Sequence, residues 1–169
     1  MRRWLPVWLF LLVAGCAAVP PLPQRPPAAE ITRFAFTGRI AVRQAESRHY
    51  VNVDWRHAAG SDEILLATPL GQGVAEIVRD ADGARLMLAD RRRFEASDWN
   101  ALAEQAFGFR LPLGASARWL LGDAADTEGW QVRVVERESE QSNALPTVIE
   151  LERDDIFVRL KIDEWSEVQ

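Results

Sequence analysis

Phe34-Ala35-Phe36-Thr37-Gly38-Arg39-Ile40-Ala41-Val42-Arg43 sets Phe34, Phe36, Ile40 and Val42 on one side of an extended chain, with Thr37, Arg39 and Arg43 on or beside the other. A period of two marks a strand with one face buried and one in water. The same period returns in Tyr50 to Arg56, where Val51, Val53 and Trp55 share a face and Asn52, Asp54 and Arg56 oppose them. The polar stretch Gln44 to Arg48 between the two suits a hairpin. Further strands are predicted at Glu63–Ala67, Val74–Arg79, Ala84–Ala89, Arg92–Glu95, Trp130–Val135, Thr147–Arg153 and Ile156–Asp163. Asp80-Ala81-Asp82-Gly83 is a strong hairpin signal between the fourth and fifth. Short connections favour antiparallel neighbours, so the chain reads as mainly β.

Only the segment from Ser97 to Gly122 changes period. Ser97 suits an N-cap and Asp98 the positive end of a helix, after which Trp99, Leu102, Ala103 and Ala106 form an i, i+3, i+4, i+7 stripe ending near Gly108. Leu111-Pro112-Leu113 turns the chain, and Ala115 to Leu121 makes a second short helix with Gly122 as its stop. The connection Thr68-Pro69-Leu70-Gly71-Gln72-Gly73 is a loop, because Pro69 cannot donate to a ladder and the glycines favour turning. On chemistry alone, its one large apolar side chain, Leu70, belongs tucked into the core.

Ahead of the strands stands a different kind of sequence. Arg2 and Arg3 precede an apolar run from Trp4 to Ala14, long enough for an export signal and too short to span a bilayer. It ends at Ala14-Gly15-Cys16, the only cysteine of the chain. Residues 17–29 hold five of the nine prolines and read as an extended spacer. The expected organisation is therefore a signal over 1–15, a tether over 16–30 and one domain over 31–169. Loss of Arg2 and Arg3 with the signal takes the net charge from −5 to −7, which disfavours nucleic acid and charge-driven binding to anionic lipid by the domain as a whole.

Chemistry-bearing patterns are sparse. His49 and His57 are eight apart, with no third ligand nearby, and read as surface residues rather than a metal site. Ser97 and Ser116 sit in no G-x-S-x-G elbow, and no nucleotide-binding glycine motif follows a strand. No catalytic residue, metal or cofactor is expected. The run Arg91-Arg92-Arg93 suits a solvated turn, with phosphate or lipid headgroups as the alternative. Trp55, Trp99, Trp119 and Trp130 fall on apolar faces, where they fill a core or line a greasy cavity.

The order of short motifs carries more than any one of them. A charged start, apolar run and small pair before Cys16 resemble a lipobox. Then come F-x-x-x-G-R-x-A (Phe34, Gly38, Arg39, Ala41), a strand ending in Trp55, L-L-x-x-P-L-G (Leu65 to Gly71), P-L-x-x-x-x-R-W-x-L-G (Pro112 to Gly122), Trp130-x-Val132, Leu145-Pro146 and a closing basic strand before Trp165. This order resembles the LolB family of outer-membrane lipoprotein receptors. The resemblance implies a half-open antiparallel β-barrel of about 9–11 strands, with short helices as a lid over a hydrophobic cavity. It implies acylation of Cys16 and, with Ala17 rather than Asp after it, an outer-membrane anchor with the domain facing the periplasm. It also implies a non-enzymatic activity: triacylated lipoproteins are taken from the periplasmic carrier LolA by a single copy of the receptor and inserted into the membrane without nucleotide hydrolysis. On this reading Leu70, with Pro69 and Gly71, protrudes and delivers cargo. The acyl-chain cavity candidates are Phe36, Ile40, Val53, Trp55, Leu65, Ile77, Leu86, Leu102, Trp119, Leu120, Leu160 and Ile162. The competing readings are an assembly lipoprotein that uses the β domain as a docking surface, and a lipid-processing enzyme, which would need a polar cluster in the cavity.

Overall fold

A computed structural model describes residues 25–107, 113–123, 127 and 129–169. The signal, Cys16, the tether up to Gln24, and the expected turn at Leu111-Pro112 lie outside them. Nine strands form one antiparallel sheet: β1 (Phe34–Gln44), β2 (Ser47–Ala58), β3 (Ser61–Ala67), β4 (Gly73–Asp80), β5 (Gly83–Leu88), β6 (Arg93–Ala96), β7 (Gln131–Arg137), β8 (Pro146–Arg153) and β9 (Ile156–Ser166). Their order is β6-β5-β4-β3-β2-β1-β9-β8-β7. Strands β6 and β7 are the two edges and do not pair with each other, so the sheet is open. The chain must still pass from one edge to the other, and it does so through helices α1 (Trp99–Phe107) and α2 (Leu113–Leu120).

One face of the sheet wraps those helices. Leu86 of β5 and Ile149 of β8, from opposite halves of the sheet, join Trp99 and Leu102 of α1 and Ala117 and Leu120 of α2 in a single buried cluster. The strand register explains why. Phe36 pairs with Trp55, Trp55 with Ile64, Ile64 with Ile77, Ile77 with Leu86 and Leu86 with Phe94, a continuous apolar row on the concave face. At about 25 cal/mol per Å² of apolar surface removed from water, such rows are the main source of the fold's stability.

Gly38 has a specific task in this register. A bulge lies between Thr37 and Gly38, so that Gly38 faces Ile162, Thr37 faces Glu164, and Phe36 faces Trp165. The extra residue in β9, Asp163, shifts the alternation and turns Trp165 inward after Ile162. A Cβ on Gly38 would stand 2.4 Å from the Lys161 carbonyl oxygen; only glycine permits the strands to approach this closely.

Three sequence expectations change in detail. The α1 cap is Asp98 rather than Ser97: Asp98 Oδ1 accepts from the Ala101 N–H at 2.9 Å, and Ser97 donates to Asp98. The tether is shorter than residues 16–30, because Arg25 forms a two-pronged ion pair with Glu138 at 2.9 and 3.2 Å. Ala28 also packs against the main cluster. Finally, His57 is not a surface residue. Its ring stacks on Phe34 at 4.8 Å between centroids, and Nδ1 lies 2.6 Å from Asp62 Oδ1.

Candidate functional site

Two features stand out once the sheet is assembled: the apolar concave face and the β3–β4 turn at its rim. The concave face has two unlike ends. At the end where β1 begins, Phe34, Phe36, Trp55 and Trp165 form an aromatic group with centroids 5.3–6.4 Å apart. Beside it Asp62, only 4% exposed, accepts hydrogen bonds from Trp55 Nε1 at 2.9 Å and Arg79 Nε at 2.7 Å and partners His57. Burial pushes the Asp62 carboxyl up, but its bonds to His57, Trp55 and Arg79 together hold it below the ordinary aspartate range. At the opposite end the wall is aliphatic and incompletely covered: Ile40, Leu66, Ala75, Leu88, Val132 and Leu151 are half-buried around the same cluster.

Leu70 stands at that second end. Thr68-Pro69-Leu70-Gly71 is a tight turn closed by the Gly71 N–H donating to the Thr68 carbonyl at 2.8 Å, with Gly71 at φ +84°. The Thr68 N–H donates to the Gln72 carbonyl at 2.8 Å, and Asn52 Nδ2 donates to the Thr68 carbonyl at 3.3 Å. The turn is thus held from within and from β2. Its tip cannot fold back, and Leu70 is 90% exposed. Pro69 sets the turn and lines a shallow outer groove with Tyr50 and Lys161.

The cavity candidates fall into four groups. Phe36, Val53, Trp55, Ile77, Leu86, Leu102, Leu120, Leu160 and Ile162 all belong to the main cluster, with Ile40 at its half-buried margin. Trp119 lies in a second, smaller cluster with Trp130 and Ile156. Leu65 is on the other face: it is 39% exposed, pairs with Asp54 and Glu76, and leaves the inward positions to Ile64 and Leu66. The main cluster also takes in Phe34, Leu145 and Ile149 with Trp165 against it, four residues missing from the sequence-derived set. Phe34 and Ile149 follow the strand alternation, whereas Trp165 escapes it because of the bulge, and Leu145 lies in the connection before β8.

Among the described residues no group of three or more His, Cys, Asp or Glu is arranged to hold a metal. Asp62 is committed to three donors of its own fold. No described helix is long and apolar enough to cross a membrane.

This geometry coincides with a family match along nearly the whole domain. The family model for Outer membrane lipoprotein LolB matches residues 32–165. The chain belongs to the LolB family. Among curated relatives, the outer-membrane lipoprotein LolB of Chromobacterium violaceum is 32% identical, covering 98% of this chain and 99% of the relative. That of Dechloromonas aromatica is 34% identical, covering 92% and 93%. A solved LolA superfamily protein from Nitrosomonas europaea aligns over 78% of this chain and 85% of its own, at 10% identity and a TM-score of 0.39. The residues of the motif order quoted above map onto these features: Gly38 sits opposite the β9 bulge, Trp55 lies in the aromatic group, and Pro69-Leu70-Gly71 is the exposed turn.

Proposed function

We propose that this protein is an outer-membrane lipoprotein, anchored through Cys16 with its domain in the periplasm, that receives triacylated lipoproteins from the carrier LolA and inserts them into the membrane. The observation that carries the reading is an apolar concave face whose less covered end adjoins a rigid turn presenting Leu70 to solvent. A large apolar side chain held out of the core by three hydrogen bonds is costly in water and useful in lipid. Burying it contributes about 1.5–3 kcal/mol.

The concave face is packed against α1 and α2, so acyl chains enter by displacing helices. Several features ease that movement. Both helices are short, and isolated helices of this length are marginal in water. The indole N–H of Trp99 on α1 finds no acceptor among the described residues. Acyl chains would replace helix side chains against the same apolar wall. Transfer then needs no nucleotide, because two cavities that differ by a modest apolar area already differ in affinity at about 25 cal/mol per Å².

The deciding experiment incubates this protein with LolA loaded with a radiolabelled lipoprotein and asks which of the two holds the cargo. Movement of label to this protein supports the receptor reading, and retention wholly on LolA overturns it. An assembly lipoprotein with only a docking surface would bind partners without acquiring label.

A further inference from the structure

The three arginines at positions 91–93 acquire a meaning from their place in the fold. The β5–β6 turn that carries them opens at the same end of the strands as the Leu70 turn, with only β4 and β5 between the two. The Ala89 N–H donates to the Val74 carbonyl at 2.9 Å, tying the base of one turn to the strand that leaves the other. Strands lie about 4.8 Å apart, so the turns are separated by about 10 Å, the scale of neighbouring lipid headgroups.

Charge within this turn is unevenly balanced. The Asp90 carboxylate accepts from the Arg92 backbone N–H at 3.0 Å and from Arg92 Nε at 2.7 Å; these bonds hold it ionised below the ordinary aspartate range. Arg93 pairs with Glu95 at 2.5 Å. Arg91 forms no ion pair among the described residues and is exposed at the tip, with its N–H on the Leu88 carbonyl at 2.9 Å. Its φ is +70°, a left-handed conformation that a non-glycine residue adopts at a cost. Three guanidinium groups thus face two carboxylates, in a domain whose total balance is −7 without Arg2 and Arg3. The local excess of positive charge runs against the charge of the whole and adjoins the most exposed apolar side chain.

We propose that the Arg91 turn binds the headgroups of an anionic phospholipid bilayer, and so seats Leu70 at the depth where cargo leaves the protein. Guanidinium is suited to this because its planar fork meets a phosphate through two parallel hydrogen bonds. Leu70 enters the acyl region while Arg91 stays at the phosphate level about 10 Å to the side. The inference rests on the reading of Leu70 as the membrane-contacting residue and adds the lipid class that the edge selects.

The test uses the acylated protein reconstituted into vesicles, with Gln72→Cys carrying an environment-sensitive fluorophore beside Leu70. Gln72 is exposed and meets the turn through its backbone. Vesicles are phosphatidylethanolamine with or without phosphatidylglycerol. In the protein with native Arg91 and Leu70, the blue shift should grow with phosphatidylglycerol. Arg91→Asn, which tolerates the left-handed turn, should weaken the dependence on anionic lipid about fivefold and leave contact with the zwitterionic vesicles unchanged. Leu70→Glu should abolish the shift in both. If Arg91→Asn follows phosphatidylglycerol as the native residue does while Leu70→Glu fails, the headgroup inference is wrong and the Leu70 reading stands. If Leu70→Glu keeps the full shift, the Leu70 reading itself falls. Should Arg91→Asn slow handover from LolA but not lipid contact, the turn meets an acidic protein surface, and the lipid assignment is overturned.

Discussion

Within the same strands, the end where Phe34, Trp55, His57 and Asp62 meet differs from the end where Ile40, Leu66 and Leu88 meet. The first is aromatic and hydrogen-bonded, with Asp62 held by three side chains from β2 and β4. The second is aliphatic and half-buried. Side chains that need particular partners fix a single geometry, whereas methyl groups accept many neighbours. One end therefore holds the sheet in its curl, and the other leaves its apolar wall only half-covered. Leu70 lies at the second end, where the proposed receptor role needs an exit for acyl chains.

The comparison can be broken most severely at Asp62. Asp62→Asn leaves Arg79 and His57 without their carboxylate, and should lower unfolding free energy by about 3 kcal/mol in denaturant titration. The same group sets an acid response. Its carboxyl is held below the ordinary range in the fold, so the stability it supplies is complete above the unfolded-state value and is lost as pH falls through the lowered one. The melting temperature of the native protein should therefore decline from about pH 5 downward more steeply than that of Asp62→Asn. Equal slopes would remove Asp62 as the first end's fastening.

Gly38→Ala is the next largest perturbation. With the Lys161 carbonyl oxygen 2.4 Å from the new Cβ, β1 and β9 must separate, at about 2 kcal/mol. Loss of the inward position of Trp165 should appear as a red-shifted fluorescence component. Leu88→Ala, at the half-buried end, should cost only about 1 kcal/mol, less than fully buried leucines do. It should weaken binding of a fluorescent fatty-acid probe more than it weakens the fold. Leu70→Glu comes last for stability, within about 0.5 kcal/mol of the native protein. Yet it should accept lipoprotein and fail to insert it into vesicles; normal insertion would sever the exposed turn from delivery.

Much of this molecule is legible in its sequence because most of its strands alternate apolar and polar residues and each alternation is local. What escaped depends on parity set elsewhere. Ile64-Leu65-Leu66 has no alternation of its own, and only pairing with Trp55 and Ile77 turns Ile64 inward and Leu65 out. Trp165 is out of step by the one residue of the Gly38 bulge. The Asp62 group joins the inward Trp55 to residues 57, 62 and 79, each of which looks solvated by itself. Leu70 is the reverse case: loop chemistry favours a tucked leucine, family resemblance favours a protruding one, and the turn's own hydrogen bonds give the physical reason for protrusion.

The ion pair between Arg25 and Glu138 marks where the described chain joins the fold, and this is at the end of the sheet opposite Leu70. From Cys16 to Gln24 there are nine residues, about 28 Å of chain at about 3.1 Å each. Along β1 from Phe34 to Val42, the level of the Leu70 turn, the sheet itself extends about 26 Å. On the proposed reading, which seats Cys16 in the membrane, the reach of the anchor and the height of the domain are nearly equal. Leu70 can then touch the bilayer that holds Cys16 only when the domain leans over its own stalk with little slack. Opening the Arg25–Glu138 pair would free residues up to Pro27, about 9 Å more chain, so on the proposed reading this one ion pair sets the working radius of delivery.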